Sequence, residues 1–226
     1  MSVNSCGEAL RFVDRRNTNC SKWDGLLAKF GAADLQAMWV ADMDFQAPQC
    51  VRDALKAYLE QGVFGYYQVP DSYYEVFMQW EKDVHGYSVK REWLRVTPGV
   101  VPAINWFLQS MTAPGDEVLV LTPVYYPFMD AVKNNERKLI CCDLAAQDGT
   151  YAIDFASLEE TLRTHRIKAF VFSSPHNPVG RVWTKEELEK LVRICRKNGI
   201  IVVSDEIHFD ITRKEHTVIS TVNGGC

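Results

Sequence analysis

The chain has 226 residues, of which 47% are hydrophobic and 24% charged, and its formal net charge is -4. That is apolar material enough for a sizeable core, and the mildly acidic balance excludes a general affinity for nucleic acid or anionic membrane. Seven cysteines, an odd count with no C-x-x-C pair, argue against a disulfide framework or a zinc site and point to reduced thiols in a cytoplasmic setting.

No basic n-region followed by an apolar run opens the chain, so no signal peptide is expected. No apolar stretch approaches the roughly 20 residues that would span a bilayer. Residues 1–37 are polar and mixed, without a sustained period. Trp39-Val-Ala-Asp-Met-Asp-Phe45 is a short apolar run broken by two carboxylates. Pro48 opens a helical pattern with Val51, Leu55, Tyr58 and Leu59 on one face. Phe64-Gly-Tyr-Tyr67 reads as a loop. Ser72 and Glu75 are spaced as a capping box for a second helix carrying Val76, Phe77 and Trp80. Pro98-Gly99 punctuates the chain before a third helix, Val101 to Met111.

Beyond that point the rhythm changes. Glu117–Leu121, Leu139–Asp143, Ala169–Ser173 and Ile200–Ser204 are short β-branched or aromatic runs, with helical patterns between them at about 126–136, 154–165 and 184–198. Thr184 with Glu187 is another capping box, and Gly199 is placed to end its helix. Apolar strands alternating with helices predict an α/β fold around a buried parallel sheet.

Ligands of such sheets bind at the carboxyl ends of the strands. Three chemically loaded segments fall there: Thr122-Pro-Val-Tyr-Tyr-Pro-Phe128, Ser173-Ser-Pro-His-Asn-Pro-Val-Gly-Arg181 and Ser204-Asp-Glu-Ile-His-Phe-Asp210. Asp205 follows an apolar strand. It is either a partner for a protonated heteroaromatic nitrogen or a metal, or a strand-end acid facing water. Asn177, between His176 and Pro178, reads alone as a turn device. Tyr125 and Tyr126 are either core or a flat surface for a planar ligand. Val100 and Val101 follow Gly99 at a helix start, where backbone N–H groups suit a phosphate. Asp205-Glu-Ile-His208 matches a DExH box, but no G-x-x-x-x-G-K-[ST] loop precedes it, which sets a helicase aside. An extended segment would put Glu206, His208 and Asp210 on one side, leaving a metal site as a third option.

Taken together, the motifs resemble the pyridoxal-phosphate (PLP)-dependent aminotransferase superfamily of fold type I. Within it they look most like the cystathionine β-lyase and cysteine-S-conjugate β-lyase branch. The resemblance is carried by Lys22-Trp23-Asp24, Trp39-Val-Ala-Asp-Met-Asp-Phe45, Phe64-Gly-Tyr66, Thr97-Pro-Gly-Val-Val-Pro-Ala103 and the three strand-end segments, in family order over nearly the whole chain. It implies a PLP-dependent transferase fold of type I, a mostly parallel sheet with helices on both faces. The fold is expected to be incomplete, lacking the last part of the large domain and the C-terminal small domain. Residues 1–47 would contribute to the small domain, and residues 48–226 would form part of the PLP-binding large domain.

The resemblance also implies roles. Val100 and Val101 amides would hold the cofactor phosphate, Tyr125 would stack on the pyridine ring, and Asn177 would bond the ring hydroxyl with His208 at the same edge. Asp205 would keep the ring nitrogen protonated, making the cofactor an electron sink. Tyr66 would reach the partner subunit of a homodimer, and the Ala41 amide would meet the carboxylate of an amino-acid substrate. The implied reaction is β-elimination from cystathionine or cysteine conjugates to pyruvate, ammonia and a thiol. An aminotransferase, or a non-catalytic protein keeping the pocket, is the alternative. In the family the Schiff-base lysine lies a few dozen residues beyond the position of Asp205, in an S-x-S-K or P-S-K context. Here 21 residues follow Asp205, and the one lysine among them, Lys214, sits in Thr-Arg-Lys-Glu. The expectation is therefore that no catalytic residue lies within this chain, and that the isolated chain is inactive and poorly stable.

Overall fold

The computed structural model describes residues 10–212. The chain divides into two compact units, Met1–Gln68 and Val69–Cys226.

The first unit contains the short helices α1 (Ser21–Asp24) and α2 (Leu26–Phe30) and the longer α3 (Gln49–Glu60). Pro48 caps α3, as its fixed φ at a helix entrance favours. An antiparallel bridge pairs Phe12 with Phe45. Charge holds the segment between them. Lys22 Nζ lies 2.7 Å from Asp44 Oδ2, Trp23 Nε1 donates to Asp44 Oδ1 at 3.1 Å, and Arg15 pairs with Asp42 at 2.7 Å. The Asp24 carboxylate accepts from the backbone N–H groups of Asn17, Thr18 and Cys20, and these bonds hold its pKa below the usual carboxylate range.

The second unit opens with α4 (Asp71–His85), a 3-10 turn at Arg91–Trp93 and α5 (Val100–Met111). There follow β1 (Glu117–Thr122), α6 (Tyr126–Asn134), β2 (Lys138–Asp143), β3 (Ala145–Gln147), β4 (Thr150–Ala152), α7 (Phe155–Thr164), β5 (Ile167–Ser173), α8 (Lys185–Lys197) and β6 (Ile201–Asp205). The main sheet is parallel, in the order β2-β1-β5-β6.

Side chains alternate across a strand, and the two faces follow directly from that alternation. Leu119, Leu121, Phe170 and Phe172 join Leu158 of α7 and Leu188 and Leu191 of α8 in one cluster. Val118, Val120, Ala169 and Val171 join Ile104 and Leu108 of α5 and Phe128 and Val132 of α6 in the other. The result is a three-layer α/β/α unit with β1 and β5 sealed on both faces, as continuous apolar runs require. Each fully buried Leu or Phe contributes about 1.5–3 kcal/mol of transfer free energy.

The expected strands and helices are present, and Thr184 and Glu187 form the full capping box of α8. Gly199, with φ +67, is the left-handed residue just after the Asn198 cap. Two expectations need correction. Ser72 and Glu75 make no capping box. Pro70 occupies the cap position of α4, Asp71 is its first helical residue, and Ser72 is therefore already inside the helix. The segment after Asp205 is not extended either. Residues 207–210 form a turn, which removes the alternation on which a metal site at Glu206, His208 and Asp210 depended. Among the described residues no group of three His, Cys, Asp or Glu side chains is placed to hold a metal. The β3–β4 hairpin is an addition to the expected elements, although its signal is plain. Asp148 and Gly149 take φ of +49 and +76, as a two-residue Asp-Gly turn demands.

Candidate functional site at the carboxyl ends of the strands

β2 lies on one side of β1, and the chain then returns to place β5 and β6 on the other. The strand order therefore reverses between β1 and β5, and the carboxyl ends of the strands at such a reversal are where sheets of this kind bind their ligands. The loops after β1 and β5 carry Tyr125 and Asn177, and Asp205 is the last residue of β6.

Backbone and side-chain bonds knit these loops together. Ser174 N donates to Asp205 O at 2.9 Å, and Ser173 Oγ receives the Asn177 N–H at 3.1 Å. His176, which is 1% exposed, bonds the Pro123 carbonyl through Nε2 at 2.9 Å and so bridges the switch point itself. A carbonyl can only accept, so Nε2 carries the proton. The ring is neutral, and its other nitrogen is buried and unpartnered among the described residues. Burial pushes the His176 pKa below its usual value, against the opposing pull of its backbone surroundings. Trp183 seals the same region, donating from Nε1 to Ser173 O at 2.9 Å and stacking on Phe172.

Asp205 ends β6 and is buried. Its carboxylate accepts the Ile207 N–H at 3.0 Å, and among the described residues no ion pair engages it. Burial raises its pKa, the Ile207 bond and His208 oppose that, and Glu206 adds to it. A desolvated carboxylate without a cation is costly unless something positive arrives.

Asn177 and His208 line one cleft of about 590 Å³, together with Pro175, Val179 and Ile211. The described walls of that cleft do not include Asp205, Tyr125, Val100 or Val101. Tyr125 caps α6 and is partly exposed, its ring 6.0 Å from that of Phe128. Val100 and Val101 are the first two residues of α5. Pro102 has no N–H, so the unpaired donors of that helix start are the amides of Gly99, Val100 and Val101. Ala41 and Tyr66 belong to the other unit, and both are exposed there. Lys214 lies outside the described residues, as do Glu215 to Ser220 and the final Gly-Gly-Cys.

Sequence reasoning gave no role to His176, Trp183 or Arg181, which give this rim its shape. Arg181 donates from Nε to Tyr151 O at 2.6 Å and pairs with Glu187 of the α8 capping box. It joins the β3–β4 hairpin to the start of α8. A lone aromatic or arginine in a loop gives no periodic signal; only the crowding of His, Trp and Arg within one Pro- and Gly-rich stretch points there. Asp210 is likewise a structural residue, accepting from Trp80 Nε1 at 3.0 Å and lying 2.7 Å from His85 Nε2.

The model of the family described as aminotransferase class I and II matches residues 38–225. The chain is 42% identical over 203 residues to cystathionine beta-lyase PatB of Bacillus subtilis (strain 168), covering 90% of this chain and 52% of that protein. The PLP-bound C-S lyase from Staphylococcus hominis superposes with a TM-score of 0.88 at 35% identity, over 95% of this chain and 55% of that one. Cystalysin from Treponema denticola, which contains a pyridoxal 5'-phosphate cofactor, gives a TM-score of 0.86 at 39% identity, over 94% and 55%. The chain thus spans about half the length of the proteins it matches.

Proposed function

Because the chain belongs to the aminotransferase class I and II family, we propose that it is the N-terminal portion of a PLP-dependent carbon–sulfur β-lyase. Its substrates would be amino acids of the cystathionine or cysteine-conjugate class. The observation that carries the reading is Asp205: a buried carboxylate at a strand end with no cation paired to it among the described residues. That acceptor fits a protonated pyridine ring. When bound, the cofactor supplies an electron sink for negative charge at the substrate Cα.

The residues of this chain would do the holding. Asp205 keeps a proton on the ring nitrogen, and the ring cation in turn relieves the cost of burying the carboxylate. Asn177 and His208, which share a cleft, address the oxygen at one ring edge. Tyr125 offers a flat surface to the ring. The Val100 and Val101 amides take the phosphate at the positive end of α5. Ala41 offers its amide to the substrate carboxylate, and the exposed Tyr66 side chain reaches a second subunit of a cytoplasmic homodimer. In this reading residues 1–47 serve the small domain and 48–226 the large one.

The test is to express the polypeptide obtained by reading on past codon 226 and to give it cystathionine. Pyruvate and thiol formed in equal amounts are expected. Amino-group transfer to an added keto acid without pyruvate would replace the lyase with an aminotransferase, and neither product would leave a pocket that binds without reacting.

A further inference from the structure

The turn between α6 and β2 grips α5 at its carboxyl end and again near its middle, through side chains that no role assigned so far uses. At the carboxyl end, Arg137 is buried without a carboxylate partner among the described residues. Its Nη2 donates to Leu108 O at 3.1 Å and Thr112 O at 2.6 Å, and its Nε to Thr112 Oγ1 at 2.8 Å. The guanidinium thus satisfies the last carbonyls of α5, where the helix dipole is negative.

Toward the amino end runs a relay of three side-chain amides. Gln109 Nε2 donates to Asn135 Oδ1 at 2.7 Å, Asn135 Nδ2 to Asn105 Oδ1 at 2.7 Å, and Asn105 Nδ2 to Val101 O at 2.9 Å. Two backbone carbonyls fix its direction. Asn135 Nδ2 also donates to Ala131 O at 2.7 Å, so that atom must be the nitrogen. Val101 O imposes the same choice on Asn105. Asn135 is only 8% exposed, so its amide is committed to these partners.

The relay ends on Val101, one of the two residues whose amides are read above as the phosphate seat. First turns fray, because their amides have no partners within the helix. Here the Val101 carbonyl accepts from Asn105 one turn on in the same helix, and Asn105 is in turn held by Asn135 just beyond α6. We propose that Asn135, acting through Asn105, is a positioning residue for a phosphate monoester bound at the start of α5. This rests on the reading of Val100 and Val101 as the seat. The relay holds the tip of the helix in place, and the arriving dianion meets donors already aimed.

The probes are pyridoxine 5'-phosphate and pyridoxine, which lack the aldehyde and so form no Schiff base with surface amines. Their affinities for the 226-residue chain are compared by tryptophan quenching, for the wild type and for Asn135→Ala and Asn105→Ala. Each variant is expected to lose roughly tenfold in affinity for the phosphorylated probe, the cost of one buried hydrogen bond, with pyridoxine binding unchanged. Asn105 is half-buried on a helix and alanine is a good helix former, so that variant stays informative if Asn135→Ala fails to fold. Variants that keep the wild-type preference for the phosphorylated probe, or lose both probes equally, overturn the proposal and leave the seat standing. A wild type that binds both probes alike removes the seat, and the proposal with it.

Discussion

In the second unit, Leu119, Phe170 and Phe172 are sealed from solvent inside β1 and β5, whereas in the first the apolar face of α3, with Val51, Leu55 and Leu59, stays exposed. Both patterns are regular, and both produced the element they predict. The difference lies in what is available to cover them. β1 and β5 find helices on each face. The first unit is ordered instead by charge, with Asp44, Lys22, Trp23, Arg15 and Asp42 binding together stretches of chain that are distant in sequence. Periodicity tells where a helix forms; it does not tell whether its apolar face is buried.

Large-to-small substitution should separate the two regions most sharply. Phe170→Ala is expected to cost about 3–5 kcal/mol, because the close-packed sheet cannot collapse around the missing ring. Leu55→Ala is expected to stay within about 0.5 kcal/mol, since it opens no cavity. Urea denaturation of the two variants measures both. A Leu55→Ala loss as large as that of Phe170→Ala would mean that α3 is covered in solution.

The strands were legible because a strand buried on both faces must be apolar throughout, and Val118 to Leu121 and Ala169 to Phe172 are. Asp205, Asn177 and Tyr125 were legible as positions because a parallel sheet delivers its ligands to strand ends. The relay through Asn135 and the His176 bond to Pro123 were not legible. The Asn135–Asn105 and His176–Pro123 bonds join residues 30 and 53 positions apart, and no local pattern encodes such a meeting. The Ser72 capping box misled for a local reason: the spacing was right, but Pro70 had already started the helix.

The rim of the second unit sharpens the contrast next. Its core is apolar, yet Asp205 sits at its edge as a carboxyl whose pKa burial raises. Such a group binds its proton more tightly folded than unfolded, so stability falls as pH rises from the ordinary value of 3.8 through the raised one. Above the raised value the ionised acid is a standing cost. Asp205→Asn should therefore stabilise the cofactor-free chain by about 1 kcal/mol, a few degrees in Tm, while weakening its hold on a protonated pyridine ring. Thermal melts and pyridoxine 5'-phosphate titrations read the two halves of that trade. A lower Tm for the variant would show that the carboxylate has a stabilising partner and no need of a ligand cation.

The smallest effect separates the units by pH. His176 is held neutral, with its pKa pushed below 6.5 by burial, so the folded state binds fewer protons than the unfolded one just below that value. Stability of the second unit should decline as pH falls from 6.5 toward the folded-state value. Asp44 runs later. Its bond to Lys22, then that to Trp23, holds its pKa below 3.8, so the stability it gives is present above 3.8 and is lost only as pH falls through the lowered value. Each unit carries its own reporter: the indole N–H of Trp183 bonds Ser173 O, and that of Trp23 bonds Asp44. Followed by NMR hydrogen exchange, Trp183 protection should begin to fall below pH 6.5 while Trp23 protection holds into the carboxylate range. In His176→Gln the early decline should flatten. Loss of both indoles at one pH would show that the two units melt together and that the histidine does not set the acid limit of the sheet.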